Sequence, residues 1–410
     1  MKKIIFILVL ISCQISFSQN WVRKLDGYSM WSLGKDLSGK IYAGTSGTQK
    51  NIFKSTNGGN SWDTVLSNGA SNFLYIACDS SNYVYAANVS NGLVLSTNGG
   101  LNWATIPSSV FNSQSVNAVA CGRNGYVYAG TTLGGIYRST NYGANFTYVA
   151  LTGLTVVVIS VDRFNSNIIY AGASSGSPPN YGFYRSTDGG LSFSSNLNPL
   201  NVWGIAEKMN GNLYTITTSS PYPLSKSTDG GFNWVTASNL SGAMRGMCID
   251  MAENIYTAGN GGVFKTTNDG ASFNNHNLTF SANHVICCQN KILVAVTGTA
   301  NGGVYIFTDS LVGIQGPKNS IPERFQLFQN FPNPFNPVTE IKFDLAFNSF
   351  VTIQMYNLLG QEVATLINKE YKAAGSYSVS VDGSIYASGV YFYRMEVGTF
   401  IDTKKMILMK

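Results

Sequence analysis

Charge is scarce in this chain: 11% of its 410 residues are Asp, Glu, Lys or Arg, against roughly 25% in an ordinary soluble protein. Residues 19–315 carry 15 basic against 12 acidic side chains and residues 316–410 carry 9 against 8, with no basic cluster in either. That balance excludes a phosphate-binding surface, so nucleic acid is not an expected partner. Histidine occurs twice, as His276 and His284, and no Cys-x-x-Cys pair exists. Without a ligand cluster, a phosphate loop or a Ser-His-Asp set, neither metal nor cofactor is expected. Glutamate is nearly missing from residues 19–309, where Glu207 and Glu253 stand alone. That is thin material for glycoside hydrolysis, which generally needs two carboxylates flanking the scissile bond. The apolar run at residues 4–11 is too short to span a bilayer as a helix, and no other segment comes closer.

What is present at the amino end is a secretory layout: Lys2 and Lys3, the short apolar run, then Ser16 and Ser18 flanking Phe17. Residues 1–18 read as a signal peptide cleaved after Ser18. Leu10-Ile11-Ser12-Cys13 also resembles a lipobox, which makes a lipidated Cys13 the alternative. Five cysteines follow: Cys78, Cys121, Cys248, Cys287 and Cys288. An odd number argues against a complete disulfide framework, and four lie in apolar runs where Cys acts as a small buried hydrophobe. The pairings considered besides that reading are Cys78 with Cys121 and Cys287 with Cys288.

One eight-residue phrase then recurs six times: STNGGNSW from Ser55, STNGGLNW from Ser96, STNYGANF from Ser139, STDGGLSF from Ser186, STDGGFNW from Ser227 and TTNDGASF from Thr266. A period near 40 residues is that of stacked or radially arranged units. Within each unit an apolar run, a polar turn, a strand with a repeated Tyr and a third short strand precede the phrase, which turns into a fourth strand. Four β-branched or aromatic strands separated by Gly-rich turns make one propeller blade. Residues 284–308 repeat three strands without a following Gly-x-x-Trp, whereas Asn20-Trp21-Val22 matches Asn233-Trp234-Val235 of the fifth copy. The expected architecture is therefore all-β: a seven-bladed propeller over residues 19–309, its last blade completed by the mature N-terminus, which removes an open edge.

The repeated phrase resembles the Asp box, or BNR repeat, of sialidases and related propellers. Its physics makes it a structural corner. The first-position hydroxyl (Ser55, Ser96, Ser139, Ser186, Ser227, Thr266) and third-position oxygen (Asn57, Asn98, Asn141, Asp188, Asp229, Asn268) hold backbone amides. The fifth-position glycine (Gly59, Gly100, Gly143, Gly190, Gly231, Gly270) takes angles closed to other residues. The eighth-position ring (Trp62, Trp103, Phe146, Phe193, Trp234, Phe273) drops into the blade. Asn in place of Asp keeps the accepting oxygen and loses only charge.

Residues 310–324, with Gly313, Gly316, Pro317 and Pro322, read as a linker. Beyond it, FQLFQNFPNPFNPVTEIKFDL from Phe325, VTIQMYNLLGQEV from Val351 and SGVYFYRMEVGTFIDTKKMILMK from Ser388 resemble the type A C-terminal sorting domain of the type IX secretion system. The resemblance implies a small Ig-like β-sandwich over residues 325–410, a partnership with that machinery and its sortase-like peptidase, and delivery from the periplasm to the surface or medium of a Gram-negative cell. Alternating strands agree with it, and Pro332, Pro334 and Pro337 favour an extended lead-in.

For function, two classes compete. One is a non-catalytic propeller that binds glycan, peptide or a surface partner; the other is an exported sialidase-like glycoside hydrolase. Asp36, Asp79 and Asp250 align in one repeated turn, and Arg138 and Arg185 share a repeat position with Lys54, Lys226 and Lys265, so these are repeat features and not a converging site. Five residues before the aligned turn stand Trp31, Leu74, Asn117, Val157, Trp203 and Arg245, with Asn283 or His284 in the seventh unit. These positions either open at the mouth of the central channel, where a ligand would sit, or fill blade interfaces. Trp31, Asn117, Trp203 and Arg245 are the candidate ligand contacts, and residues 174–181, with Pro178 and Pro179, are a second candidate.

Overall fold

The computed structural model describes residues 21–308 and 325–410 with Pro322, apart from residues 37, 68–71, 80, 123, 164, 176–180, 198–200, 219–223, 239, 241, 289, 299, 346–348, 373–374 and 398–399. The signal peptide, Cys13, most of the linker, Arg123 and most of the 174–181 excursion lie outside the described residues.

Between residues 22 and 308 the strands form seven four-stranded antiparallel sheets. Blades 1 to 6 occupy residues 30–66, 73–106, 116–150, 155–197, 202–238 and 244–275, each in simple chain order from the inner strand outward. Their innermost strands adjoin in sequence, and that of blade 7, Ala282–Cys288, meets that of blade 1, Met30–Lys35. The ring is closed. Blade 7 takes its outer strand, Val22–Asp26, from the N-terminus, antiparallel to Gly303–Thr308 with Val22 opposite Ile306. Trp21 fixes the junction: its Nε1 donates to the His276 carbonyl at 2.6 Å, and its ring packs 5.4 Å from that of Phe307.

The core is not within blades but between them. Seven buried apolar clusters each join two neighbouring blades; the one across the closure sets Met30, Leu33 and Phe53 of blade 1 against Leu293, Val304 and Ile306 of blade 7. Close approach of the blades explains the repeated Tyr-Ala-Gly. A Cβ on Gly130 would stand 2.7 Å from Val156 Cγ1 of the next blade, nearer than real contacts allow.

In all six repeated phrases the first-position hydroxyl accepts the amide of the fifth-position glycine, at 2.8 to 3.0 Å. The third-position Oδ1 accepts the seventh-position amide at 2.9 to 3.0 Å. The six glycines have φ between +84° and +92°, where a Cβ is strained. The eighth-position rings are half-buried rather than sunk in the blade. The phrase also latches blades together. Tyr42, Tyr85 and Tyr128 each donate to the fourth-position carbonyl of the next blade's phrase, at Gly99, Tyr142 and Gly189. Lys54 and Arg138 reach the same carbonyls at Gly99 and Gly189, and Lys291 of blade 7 reaches Gly58 of blade 1 at 3.1 Å. In the sixth copy the fourth residue is Asp269, whose carboxylate takes Lys208 at 2.6 Å and Lys226 at 2.8 Å. The repeated Tyr and the repeated cation are therefore one device, which no single-blade alignment exposes.

The cysteines correct an expectation. Neither Cys78–Cys121 nor Cys287–Cys288 is bonded; the bridge is Cys248–Cys287, across the inner strands of blades 6 and 7, with Cα atoms 6.0 Å apart. Facing strands of successive blades bring together residues one period apart, here 39 positions. Cys78 and Cys121 are half-buried and Cys288 is buried, all three as free thiols.

The C-terminal residues form a three-stranded sheet (Gln326–Leu327, Val338–Leu345, Gly375–Asp382) and a four-stranded one (Glu362–Lys372, Ser349–Tyr356, Gly389–Val397, Phe400–Leu408). Ile341, Phe343, Ile353, Tyr393, Met395 and Met406 fill the space between them, the alternation of a sandwich. The lead-in is bent and not extended: Asn330 Nδ2 donates to Pro332 O and Thr339 Oγ1, and the Phe331–Pro332 and Asn333–Pro334 bonds are cis.

Candidate functional site

Each inner strand pairs with the second strand of its blade except at one residue, where the register slips. Those seven residues are Trp31, Leu74, Asn117, Val157, Trp203, Arg245 and Asn283. A β-bulge leaves its extra residue unpaired and re-aims the side chain, and all seven line a single cavity of about 210 Å³. In the seventh blade the bulge falls on Asn283, with His284 next to it. Counting from the turn alone left that choice open because the blade 7 hairpin is one pair longer, running to Cys288↔Lys291.

Tyr75 and His284, one residue beyond their bulges, meet edge to face at 5.3 Å from opposite sides of the numbering, blades 2 and 7. Tyr75 also packs on the apolar cluster between blades 4 and 5, so it crosses the channel beneath the cavity. Burial drives the His284 imidazolium down to about 4, leaving the ring neutral at physiological pH, and its Nδ1 accepts the Leu33 amide at 3.4 Å. Ser174, first residue of the 174–181 candidate stretch, enters from the second strand of blade 4, and Thr132 from the turn after the second strand of blade 3, where the one-per-blade pattern did not mark it.

The polar groups of the cavity are unevenly matched. Asn117 and Thr132 hydrogen-bond each other at 2.9 Å. Arg245 Nη1 donates to Asn283 Oδ1 at 2.9 Å, and the guanidinium carbon lies 6.0 Å from the Trp31 ring centre. Trp203 Nε1 and Asn283 Nδ2 are buried donors with no acceptor among the described residues. Among the described residues, none that lines the cavity is a carboxylate.

The acids lie elsewhere. Asp36, Asp79 and Asp250 each accept a backbone amide of their own turn, from Lys40, Tyr83 and Asn254. Glu253 accepts the Met209 amide at 3.4 Å. Glu207 ends the inner strand of blade 5, four residues from Trp203; it accepts the Arg163 amide at 3.0 Å and hydrogen-bonds Asp162. Carboxyls in contact leave no room for the water or sugar that glycosidase pairs bracket at about 5 to 9.5 Å. Burial, with Asp162 beside it, pushes Glu207 up to about 7. A carboxyl raised on folding stabilises fully below its unfolded value of about 4.3, and that contribution is lost as pH rises through 7. We expect unfolding free energies from urea titration at pH 5 and pH 8 to differ by on the order of 1–2 kcal/mol in favour of pH 5, and Glu207→Gln to remove most of that difference. The arginines do not converge either. Arg138 serves a latch, Arg185 lies 4.7 Å over Phe232, Arg23 bonds Gly302 O and Ala300 O at the closure, and among the described arginines only Arg245 lines the cavity.

Among the described residues no helix is long and apolar enough to cross a membrane, and no group of three or more His, Cys, Asp or Glu is placed to hold a metal. Residues 329–409 match the secretion system C-terminal sorting domain, a tail that directs export to the cell surface or extracellular space. No curated protein matches the chain. Among solved structures it is similar to PorZ, a surface component of the type IX secretion system of Porphyromonas gingivalis (12% identity, TM-score 0.53, 92% of this chain and 59% of that one). It is also similar to the extracellular domain of the putative hybrid two-component system BT3049 of B. thetaiotaomicron (16%, 0.54, 94% and 55%), and to YCF48 bound to D1 peptide (13%, 0.55, 70% and 96%). The chain spans little more than half of the first two, and at such identities the likeness is one of fold.

Proposed function

We propose that this exported propeller is a glycan-binding protein that holds its ligand at the channel mouth. The observation that carries the reading is the ring of bulges: seven unpaired residues, one per blade, aimed into a single concave site. A bulge lengthens a strand without improving its pairing, so its repetition at one height serves what the side chains face. Two indoles offer flat apolar faces for a pyranose, and Asn117, Thr132, Thr155 and Ser174 supply the neutral polar contacts that sugar hydroxyls require. The hydrolase alternative lacks a carboxylate among the cavity's lining residues.

On a glycan array, the full-length secreted protein should retain a subset of oligosaccharides. Trp203→Ala should weaken the best of these by about 30-fold, the effect of removing a central aromatic anchor worth about 2 kcal/mol. Retention of peptides but no glycan, or glycan binding indifferent to both Trp203→Ala and Trp31→Ala, would refute the reading.

A further inference from the structure

We infer that the sugar taken at the channel mouth is acidic, a ring of hexuronate type whose carboxylate lies against Arg245, Trp203 and Asn283. This rests on the glycan reading above and narrows it.

The argument begins with a surplus of donors. Asn283 is 4% exposed, and its Oδ1 is committed to Arg245, which fixes the amide's orientation and turns its NH₂ the other way. That NH₂ has no acceptor, and neither does Trp203 Nε1–H. A buried donor left unsatisfied costs about 1–3 kcal/mol, so these two, sealed within residues that line the cavity, are an unfilled demand that an acceptor admitted by a small side-chain shift would meet. The third donor is charged. Among the described residues no acid is paired with Arg245; Asn283 holds one arm of the guanidinium and the Trp31 face supports it. His284 is neutral, so the cavity carries one positive charge and no negative one.

A carboxylate answers each demand. It accepts only, offers about four lone-pair sites to the donors, brings one negative charge to one positive, and matches the planar fork of arginine. A neutral sugar would leave the arginine's charge uncompensated in a partly desolvated site. The cavity, about 210 Å³ against roughly 300–1,000 Å³ for drug-sized sites, admits one ring and not a folded chain. The hydroxyl and amide wall at Asn117, Thr132, Thr155 and Ser174 is left to meet the ring's hydroxyls.

The test is calorimetric titration of the full-length protein with oligogalacturonides and with the same oligomers after carboxyl reduction to neutral α-1,4-galactosides, pairs that differ only at C6. The acidic member should bind about tenfold tighter or more, since hydrogen bonds to a charged group contribute about 1.5–3 kcal/mol. Arg245→Gln should bring the two within about threefold while neutral binding persists, and Arg245→Lys, lacking the fork, should restore only part of the preference. Trp203→Phe keeps an aromatic face and removes the N–H; it should weaken both members and narrow the preference for the acidic one, and it guards against an Arg245 variant that fails to fold. Equal binding of both members by the unmodified protein sinks the acidic inference and leaves the glycan reading standing. A preference for sulfated over carboxylated sugars overturns the hexuronate assignment. Binding of neither member, together with an array that retains no glycan, sinks both.

Discussion

Removal of residues 21–26 should cost the propeller about 5 kcal/mol or more, visible as a large fall in urea midpoint and as oligomers in size-exclusion chromatography. Two losses combine. Truncating a well-packed Trp typically costs about 3–5 kcal/mol; Trp21, half-buried, sits near the lower end but adds its 2.6 Å bond to the His276 carbonyl. The strand Val22–Asp26 goes with it, and with it the pairing to Gly303–Thr308. That exposes the outer edge of Gly303–Thr308, a buried strand of Val304, Tyr305, Ile306 and Phe307 and a template for pairing with another chain. Against a typical domain stability of 5–15 kcal/mol, such a loss leaves little. Trp21→Ala alone should give roughly half the shift and no oligomers. An unchanged midpoint for the truncated chain would mean that ring closure does not depend on this strand.

The second large effect concerns Cys248–Cys287. Cross-linking positions 39 apart restricts the unfolded chain by about 2–4 kcal/mol. The bridge joins the inner strands of blades 6 and 7, one interface before the closure. Cys248→Ser should therefore lower the urea midpoint by that amount, and reductant should do the same to the unmodified protein while leaving Cys248→Ser unmoved. Cys78→Ser and Cys121→Ser should keep the response to reductant intact, because those thiols are free. A reductant-insensitive native protein would refute the bridge.

Sequence reasoning reached whatever repeats along the chain. The six corner phrases, the four strands of each blade and the return of Trp21 to blade 7 follow from one alignment, because each unit repeats the same contacts. So do the channel positions, since one height on the inner strand recurs once per period. What it missed lies between blades. Tyr42 to Gly99, Lys291 to Gly58 and Cys248 to Cys287 join residues whose partners stand in the next unit, and a period shows that units are equivalent without showing which atoms touch. The bulge was hidden for another reason. An extra residue in a strand alters register, not composition, so Asn283 could not be told from His284 until the pairing was known. Tyr75 was missed because its neighbours along the chain gave no hint that its ring meets His284 of blade 7 and the cluster between blades 4 and 5.

The closure also sets a schedule. Val22–Asp26 is the first strand of the ring to be made, yet its place beside Gly303–Thr308 does not exist until about 280 further residues have been added. For most of synthesis the leading segment has nowhere to dock, and the disc stays an incomplete arc with a sticky flank at each end. Completion waits for residues 303–308, the last strand before the linker and the sorting domain. The ring is sealed by residues 303–308 and the address follows at residues 329–409, so a chain halted before residue 303 would be both unsealed and without its address.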